Sequence, residues 1–238
     1  MNASISGTTL TLTYAAEQNG RATIPVTATD SNGPLAVADP FTVTVNPVND
    51  APTIETIIPA QVLQEDFASY TIDLNAAFAD VETADAALVY SVSGNTNINV
   101  SIASGIATIT PTANWNGSET LTFSATDTGG LSVNQAVVFT VNPVNDAPTV
   151  ANAIADVTVA EDAAPTIIDI SSVFADVDIA TNADSLSYSV SSSDGTLVNA
   201  SISGPTLTLP SSAGQRGAAK LPVTSTHSNV RLAQAGAC

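Results

Sequence analysis

Cysteine is all but missing: one residue, Cys238, closes the chain. A disulfide framework and a cysteine-type metal site are therefore excluded. Charge of one sign is scarce as well, with 4 Lys+Arg against 22 Asp+Glu and a formal net charge of −18. All 22 acids precede residue 211, whereas Arg216, Lys220 and Arg231 follow it. A body so acidic repels phosphate, which argues against nucleic acid and anionic membrane as partners and favours cations. There is a single histidine, His227, and nucleophile chemistry usually needs one as its base, so catalysis is a poor expectation. No apolar run approaches the ~18 residues of a membrane span, so no membrane insertion is expected in this segment. Met1-Asn2-Ala3-Ser4 begins neither basic nor apolar, so no signal peptide is read and the chain is expected to be a piece of a longer protein.

In place of charge the sequence has Thr, Ser, Ala, Val and Asn, a composition that suits strands and polar turns. It also repeats. "VNPVNDAPT" occupies 45–53 and again 141–149, a shift of 96. The same shift carries Glu65-Asp66 onto Glu161-Asp162 and Phe78-Ala79-Asp80 onto Phe174-Ala175-Asp176. Tyr90-Ser91-Val92-Ser93 maps onto Tyr188-Ser189-Val190-Ser191, and Ala125-Thr126-Asp127 maps back onto Ala28-Thr29-Asp30. Asn116-Gly117 likewise maps back onto Asn19-Gly20. The expected organisation is the second half of one repeat (1–49), a complete repeat (50–145), and a third (146–238) that degenerates after about 210. A period near 95 residues suggests beads with separate cores rather than a solenoid.

Within a repeat the apolar residues alternate. Leu121, Phe123 and Ala125 interleave with Thr120, Thr122 and Ser124; Val137, Phe139 and Val141 form a second inward set, and Tyr70, Ile72 and Leu74 a third. Further strands fit Ile57–Leu63, Leu88–Val92, Asn97–Ala103 and Ile106–Thr110. About seven short strands split by Gly, Asn, Asp and Pro turns predict an all-β chain of antiparallel Greek-key β-sandwiches in tandem. Trp115 is expected to plug one end of the core. Pro25 and Pro222 fall at outward positions of the strands that match Leu121–Ala125, which would otherwise be placed centrally, and this implies an edge or a bulge there. After Asn229, "VRLAQAGAC" replaces the expected final strand, so the third sandwich should lack it.

The acids recur in phase with the repeat. Asn49-Asp50 and Asn145-Asp146 lie in the linker; Glu65-Asp66 and Glu161-Asp162 follow; Asp80 with Glu82 and Asp176 with Asp178 share a loop; Asp30 and Asp127 precede Gly-containing turns. Isolated acids of this kind merely populate turns. Carboxylates repeated at fixed spacing near a domain boundary instead suit a hard divalent cation, which takes six to eight oxygens.

The stretches "ATDSNGPLAVADPFTVTVNPVNDAP" (28–52) and "ATDTGGLSVNQAVVFTVNPVNDAP" (125–148) resemble the end of a cadherin repeat and its linker. The whole unit is similar to the cadherin-like (Ig-like) tandem repeats of large bacterial surface and secreted adhesin-type proteins. That resemblance implies Ca²⁺ at interdomain junctions, rigidifying an extracellular or cell-surface stalk for adhesion. Its partners would be calcium ions, the neighbouring repeats, and a cell-surface protein or glycan. It implies Asn49, Asp50, Asp80, Glu82 and Asp127 at the first joint, with the upstream glutamate lying outside the chain. At the second it implies Glu65, Asp66, Asn145, Asp146, Asp176 and Asp178. Glu161 and Asp162 hold the equivalent place one repeat on. The departures are a single linker Asp, "TANWNGSE" (112–119) where cadherins carry a mid-repeat acidic signature, and His227 where Asp127 has its match. Two other readings stand beside this one: a glycan- or surface-binding module using outward Thr108, Thr110, Thr120 and Thr122, and accessory repeats of a secreted enzyme.

Overall fold

A computed structural model describes residues 1–181 and 184–227. The expected changes after Asn229 lie outside the described residues. The first repeat comprises β1 (Asn2–Ser6), β2 (Thr9–Thr13), β3 (Gly20–Thr29) and β4 (Ala36–Val45). The second comprises β5 (Thr53–Ile54), β6 (Gln61–Gln64), β7 (Tyr70–Asp73), β8 (Phe78–Ala79), β9 (Val89–Ser93), β10 (Ile98–Ala103), β11 (Ile106–Pro111), β12 (Gly117–Thr126) and β13 (Ser132–Asn142). The third comprises β14 (Thr149–Val150), β15 (Thr166–Asp169), β16 (Phe174–Ala175), the one-turn helix α1 (Asp178–Thr181), β17 (Leu186–Val190), β18 (Ser201–Ser203), β19 (Thr206–Leu209) and β20 (Val223–His227). Two compact units result: residues 1–63, 67–112 and 118–140, and residues 64–66, 113–117 and 141 onward.

In the first unit the complete repeat forms a four-stranded sheet, β6-β13-β12-β9, and a three-stranded one, β10-β11-β7. β6 lies beside β13, although the two are far apart in sequence, the return that a Greek key requires. The alternation resolves as expected: Leu121 and Phe123 on β12 and Phe139 on β13 are fully buried, as are Leu74, Ala107 and Ile109. Thr108 and Thr110 lie on β11 and Thr120 and Thr122 on β12, strands of different sheets, so they do not make one flat array. Trp115, expected to plug one end of the core, is half-buried, and a Cβ on Gly117 (φ 144°) would come 3.1 Å from its ring. Phe78, Phe123 and Phe139 are fully buried in the core.

The proline puzzle also resolves. On the β3–β4 ladder Pro25 lies directly opposite Pro40. Two residues without N–H groups can face each other only at a pair that exchanges no hydrogen bonds, so neither proline breaks the ladder. Pro222 lies just before β20 and uses its carbonyl to accept from Ser191 N–H.

In the second unit the core is smaller. Ile170, Val173 and Leu207 are buried, with Ile154, Ile168, Phe174, Tyr188 and Ile202 packed on them. The sheets are β15-β19-β18, β17-β20 and β14-β16.

Candidate metal centres

The same local logic builds a cluster in each unit. Phe78 and Phe174 anchor their short strands, each beside a tyrosine of the following strand: Phe78–Tyr90 at 6.1 Å and Phe174–Tyr188 at 5.8 Å between ring centroids. Each short strand pairs with the residues directly after the linker, Thr53↔Ala79 and Ile54↔Phe78 in one repeat, Thr149↔Ala175 and Val150↔Phe174 in the next. The pairing draws the linker aspartate onto the Phe-Ala-Asp loop. Asp50 N–H donates to Glu82 Oε2 at 3.3 Å, and Asp146 N–H to Asp178 Oδ2 at 2.7 Å.

Asp80 and Asp176 shape those loops. Asp80 Oδ1 accepts from the N–H groups of Glu82 (3.0 Å) and Thr83 (2.6 Å), and Asp176 Oδ1 from that of Asp178 (2.9 Å). The other carboxylate oxygen of each is buried and has no hydrogen-bond donor.

Three carboxylates then converge twice. In the first unit Glu17, Asp50 and Glu82, all exposed, place oxygens within 4.8 Å of one another. In the second, Glu65, Asp146 and Asp178 do the same, with Glu65 and Asp178 buried. The electrostatics report the crowding. A shared hydrogen bond with Asp50 and the Asp50 charge push the Glu17 carboxyl up from its ordinary value. Burial pushes Asp146 up, and the charges of Asp178, Asp66, Glu65 and Asp176 add to it.

Glu17 is the ligand candidate that the sequence reading overlooked; it supplies the first cluster with an upstream acid that was expected to lie outside the chain. Its signal was the alignment of Asn19-Gly20 with Asn116-Gly117, which sets Glu17 against Asn114. Both adopt left-handed backbone, φ 57° and 55°, as does Gly214 one repeat on, φ 66°. Asn114 N–H donates to Asp66 Oδ1 at 2.9 Å. Its amide, turned nitrogen-inward, donates to Asp66 Oδ2 (3.2 Å) and Asp146 Oδ2 (3.1 Å). So Asp66 lies at the rim of the second cluster, held by the "NWNG" turn rather than inside it.

The remaining expected ligands are placed as follows. Asn49 donates to Asp127 Oδ2 at 2.8 Å, and Leu131 N–H to Oδ1 at 2.9 Å. Burial works to raise the Asp127 carboxyl, but the hydrogen bonds from Asn49 and the Leu131, Gly130 and Gly129 backbone outweigh it and hold the group below its ordinary value. Asn145 faces His227 Nε2 at 3.2 Å, in the position that Asn49 takes on Asp127. Glu161 pairs with Arg216 (Nε to Oε2, 3.0 Å), and Asp162 accepts from Gly214 N–H at 3.1 Å. Arg216 stands where Asn116 donates to Glu65 in the preceding repeat. A guanidinium thus already answers the Glu161 charge.

Glu119 was also unread. It is 8% exposed and accepts from the N–H groups of Thr96, Asn97 and Ile98 and from the Asn97 amide, so it fastens the β9–β10 turn.

Among known proteins, residues 48–142 match the family model described as a cadherin-like domain. No curated protein matches the chain. Among solved structures, protocadherin gamma B7 extracellular cadherin domains 1–4 align at 19% identity and a TM-score of 0.45 over 93% of this chain and 60% of that one. The protocadherin gammaB7 EC3-6 cis-dimer structure aligns at 22% and 0.44 over 90% and 58%, and the human desmocollin-1 ectodomain at 15% and 0.36 over 89% and 44%. The chain thus spans about three fifths or less of the length of these ectodomain chains. Residues 48–142 thus match a cadherin-like domain model, and the chain folds as all-β sandwich sheets of the cadherin-like kind.

Proposed function

We propose that the chain is a calcium-stiffened stretch of cadherin-like repeats, with half a repeat at 1–49 and further repeats at 50–145 and 146–238, serving as part of an extracellular adhesive stalk. The observation that carries this reading is the recurrence of a linker aspartate against the second acid of the Phe-Ala-Asp loop, joined each time by a glutamate from a non-equivalent position, Glu17 in one cluster and Glu65 in the other. Turn-filling acids need not converge, and repeated convergence holds like charges together at a cost that a cation removes.

The donor set fits Ca²⁺. Glu17, Asp50 and Glu82, and Glu65, Asp146 and Asp178, offer hard carboxylate oxygens and no sulfur or nitrogen. The bare oxygen of Asp80, on the same loop as Glu82, is a further hard donor. An ion there would tie the linker to the loops of the flanking repeats and restrict its backbone. Acid-only clusters with few surrounding donors suit the weak, roughly 10⁻⁴–10⁻³ M class of extracellular calcium modules. The test is calorimetric titration of the full chain with Ca²⁺, alongside melting with and without chelator. The expected result is a measurable binding heat and a melting temperature that falls on chelation; no heat and no shift would remove the calcium reading while leaving the sandwich intact.

A further inference from the structure

A motif outside the acidic clusters recurs with equal regularity. "NASISG" occupies 2–7 and again 199–204, and Asn99-Val100-Ser101 takes the same place in the complete repeat. Each is an Asn-x-Ser sequence, the acceptor for transfer of an oligosaccharide to the asparagine amide. A chain rich in Asn and Ser yields such triplets by composition alone. What composition does not supply is their placement. Asn2 opens β1, Asn99 lies on β10, and Asn199 stands two residues before β18. Among the described residues each of these strands is the last of its sheet, paired on one side only: β1 with β2, β10 with β11 and β18 with β19. The three asparagines and their serines Ser4, Ser101 and Ser201 are exposed. The fourth such triplet, Asn116-Gly117-Ser118, differs. Asn116 is half-buried and its amide donates to Glu65 Oε2 at 3.1 Å.

The edges themselves are the second observation. An edge strand offers unpaired N–H and C=O groups to any other chain, and is ordinarily guarded by charge, proline or a bulge. β10, "INVSIA", has neither charge nor proline, and its register with β11 runs unbroken from Ile98↔Pro111 to Ala103↔Ile106. β1, "NASIS", and β18, "SIS", lack charge and proline as well.

We propose that Asn2, Asn99 and Asn199 are N-glycosylation sites whose glycans cover the open edge of each repeat. In the transfer, Nδ2 bonds the anomeric carbon of an oligosaccharide carried on a lipid pyrophosphate. The bond from that carbon to the pyrophosphate oxygen breaks, and the lipid pyrophosphate leaves with the electron pair and takes up the proton that Nδ2 gives up. A bulky, hydrated glycan on each exposed amide keeps a second strand from the edge beside it. The inference shares with the stalk reading only the need for export.

The test is secretion of the full chain, behind a cleavable leader, from cells that make N-glycans, followed by glycopeptide mass spectrometry. Wild type should carry glycans at Asn2, Asn99 and Asn199 and none at Asn116. S101A and S201A should each lose one glycan, at Asn99 and Asn199 respectively. A secreted chain bare at Asn99 and Asn199, or one glycosylated as fully at Asn116, overturns the assignment. The triple variant N2Q, N99Q, N199Q should keep its far-UV circular dichroism and form concentration-dependent assemblies in sedimentation velocity, where the glycosylated chain stays monomeric. Wild type with its glycans trimmed enzymatically, which needs no refolding, should do the same. If both stay monomeric, the covering role is overturned. Because the leader supplies export, an unglycosylated product counts against these sites and leaves the calcium reading to its own titration.

Discussion

At the level of single residues, the difference between an acid that shapes a turn and one that can hold an ion is a matter of which oxygens are already occupied. Glu119 has both of its oxygens committed to N–H groups, four hydrogen bonds in all. Removing it leaves the buried Ile98 N–H and the part-buried Thr96 and Asn97 N–H groups unmet, and a buried donor left unmet costs about 1–3 kcal/mol. E119A should therefore lower stability by about 1–3 kcal/mol in urea unfolding, by an amount independent of Ca²⁺. Asp80 contrasts with it, since Oδ1 caps the loop and Oδ2 is bare. D80N can keep the Oδ1 contacts but loses the charge, so it should leave the chelated protein near wild-type stability and weaken Ca²⁺ binding at the first cluster about tenfold in calorimetry, a change of about 1.4 kcal/mol. These distinctions were not legible in the sequence. Asp80, Asp50 and Glu82 were found because they recur at fixed spacing. Glu17 was missed because it repeats as Asn114, and periodicity cannot reveal a residue that breaks it.

At the level of elements, the pattern was easier to read. Period-2 alternation fixed which side chains of β12, β13 and β7 face inward, since one face of each strand meets the opposite sheet. The two-residue pairs β5–β8 and β14–β16 were not foreseen, because they are too short to alternate; yet they bring each linker onto its acidic loop. Turn chemistry carries similar weight. Gly94 ends β9 with φ 82°, and a Cβ there would approach the Thr120 carbonyl oxygen to 2.5 Å. Left-handed backbone alone costs a side chain about 1–2 kcal/mol, and the carbonyl clash adds to it. G94A should cost at least about 2 kcal/mol, read as a lower urea midpoint at unchanged slope. Gly129 illustrates a close approach without positive φ: a Cβ would meet the Asn49 amide at 2.6 Å, so the turn after Asp127 is kept small to let the linker asparagine reach its carboxylate.

For the whole molecule, the excess of acid matters most where it is concentrated, and the second cluster gives it a definite sign. Burial and four neighbouring carboxylates raise the folded-state value of Asp146 above the 3.8 of an unperturbed aspartate. A group raised on folding binds its proton more tightly in the native state, so stability increases as pH falls from neutral through the raised value and levels off below the unfolded one. In chelator, wild type should therefore gain stability on mild acidification relative to D146N, which has no proton to take up at that position. Calcium reverses the direction: protons compete with the ion for the same oxygens, so its affinity should fall over the same pH window. The size of the calcium effect follows by linkage. At a free ion concentration of ~100 times the dissociation constant, stabilisation is about 2.7 kcal/mol. Urea unfolding at neutral and mildly acidic pH, with saturating Ca²⁺ and with chelator, separates the two regimes: the difference between the curves should shrink as pH falls. If it is independent of pH, the carboxylates of the cluster are not the groups that hold the ion.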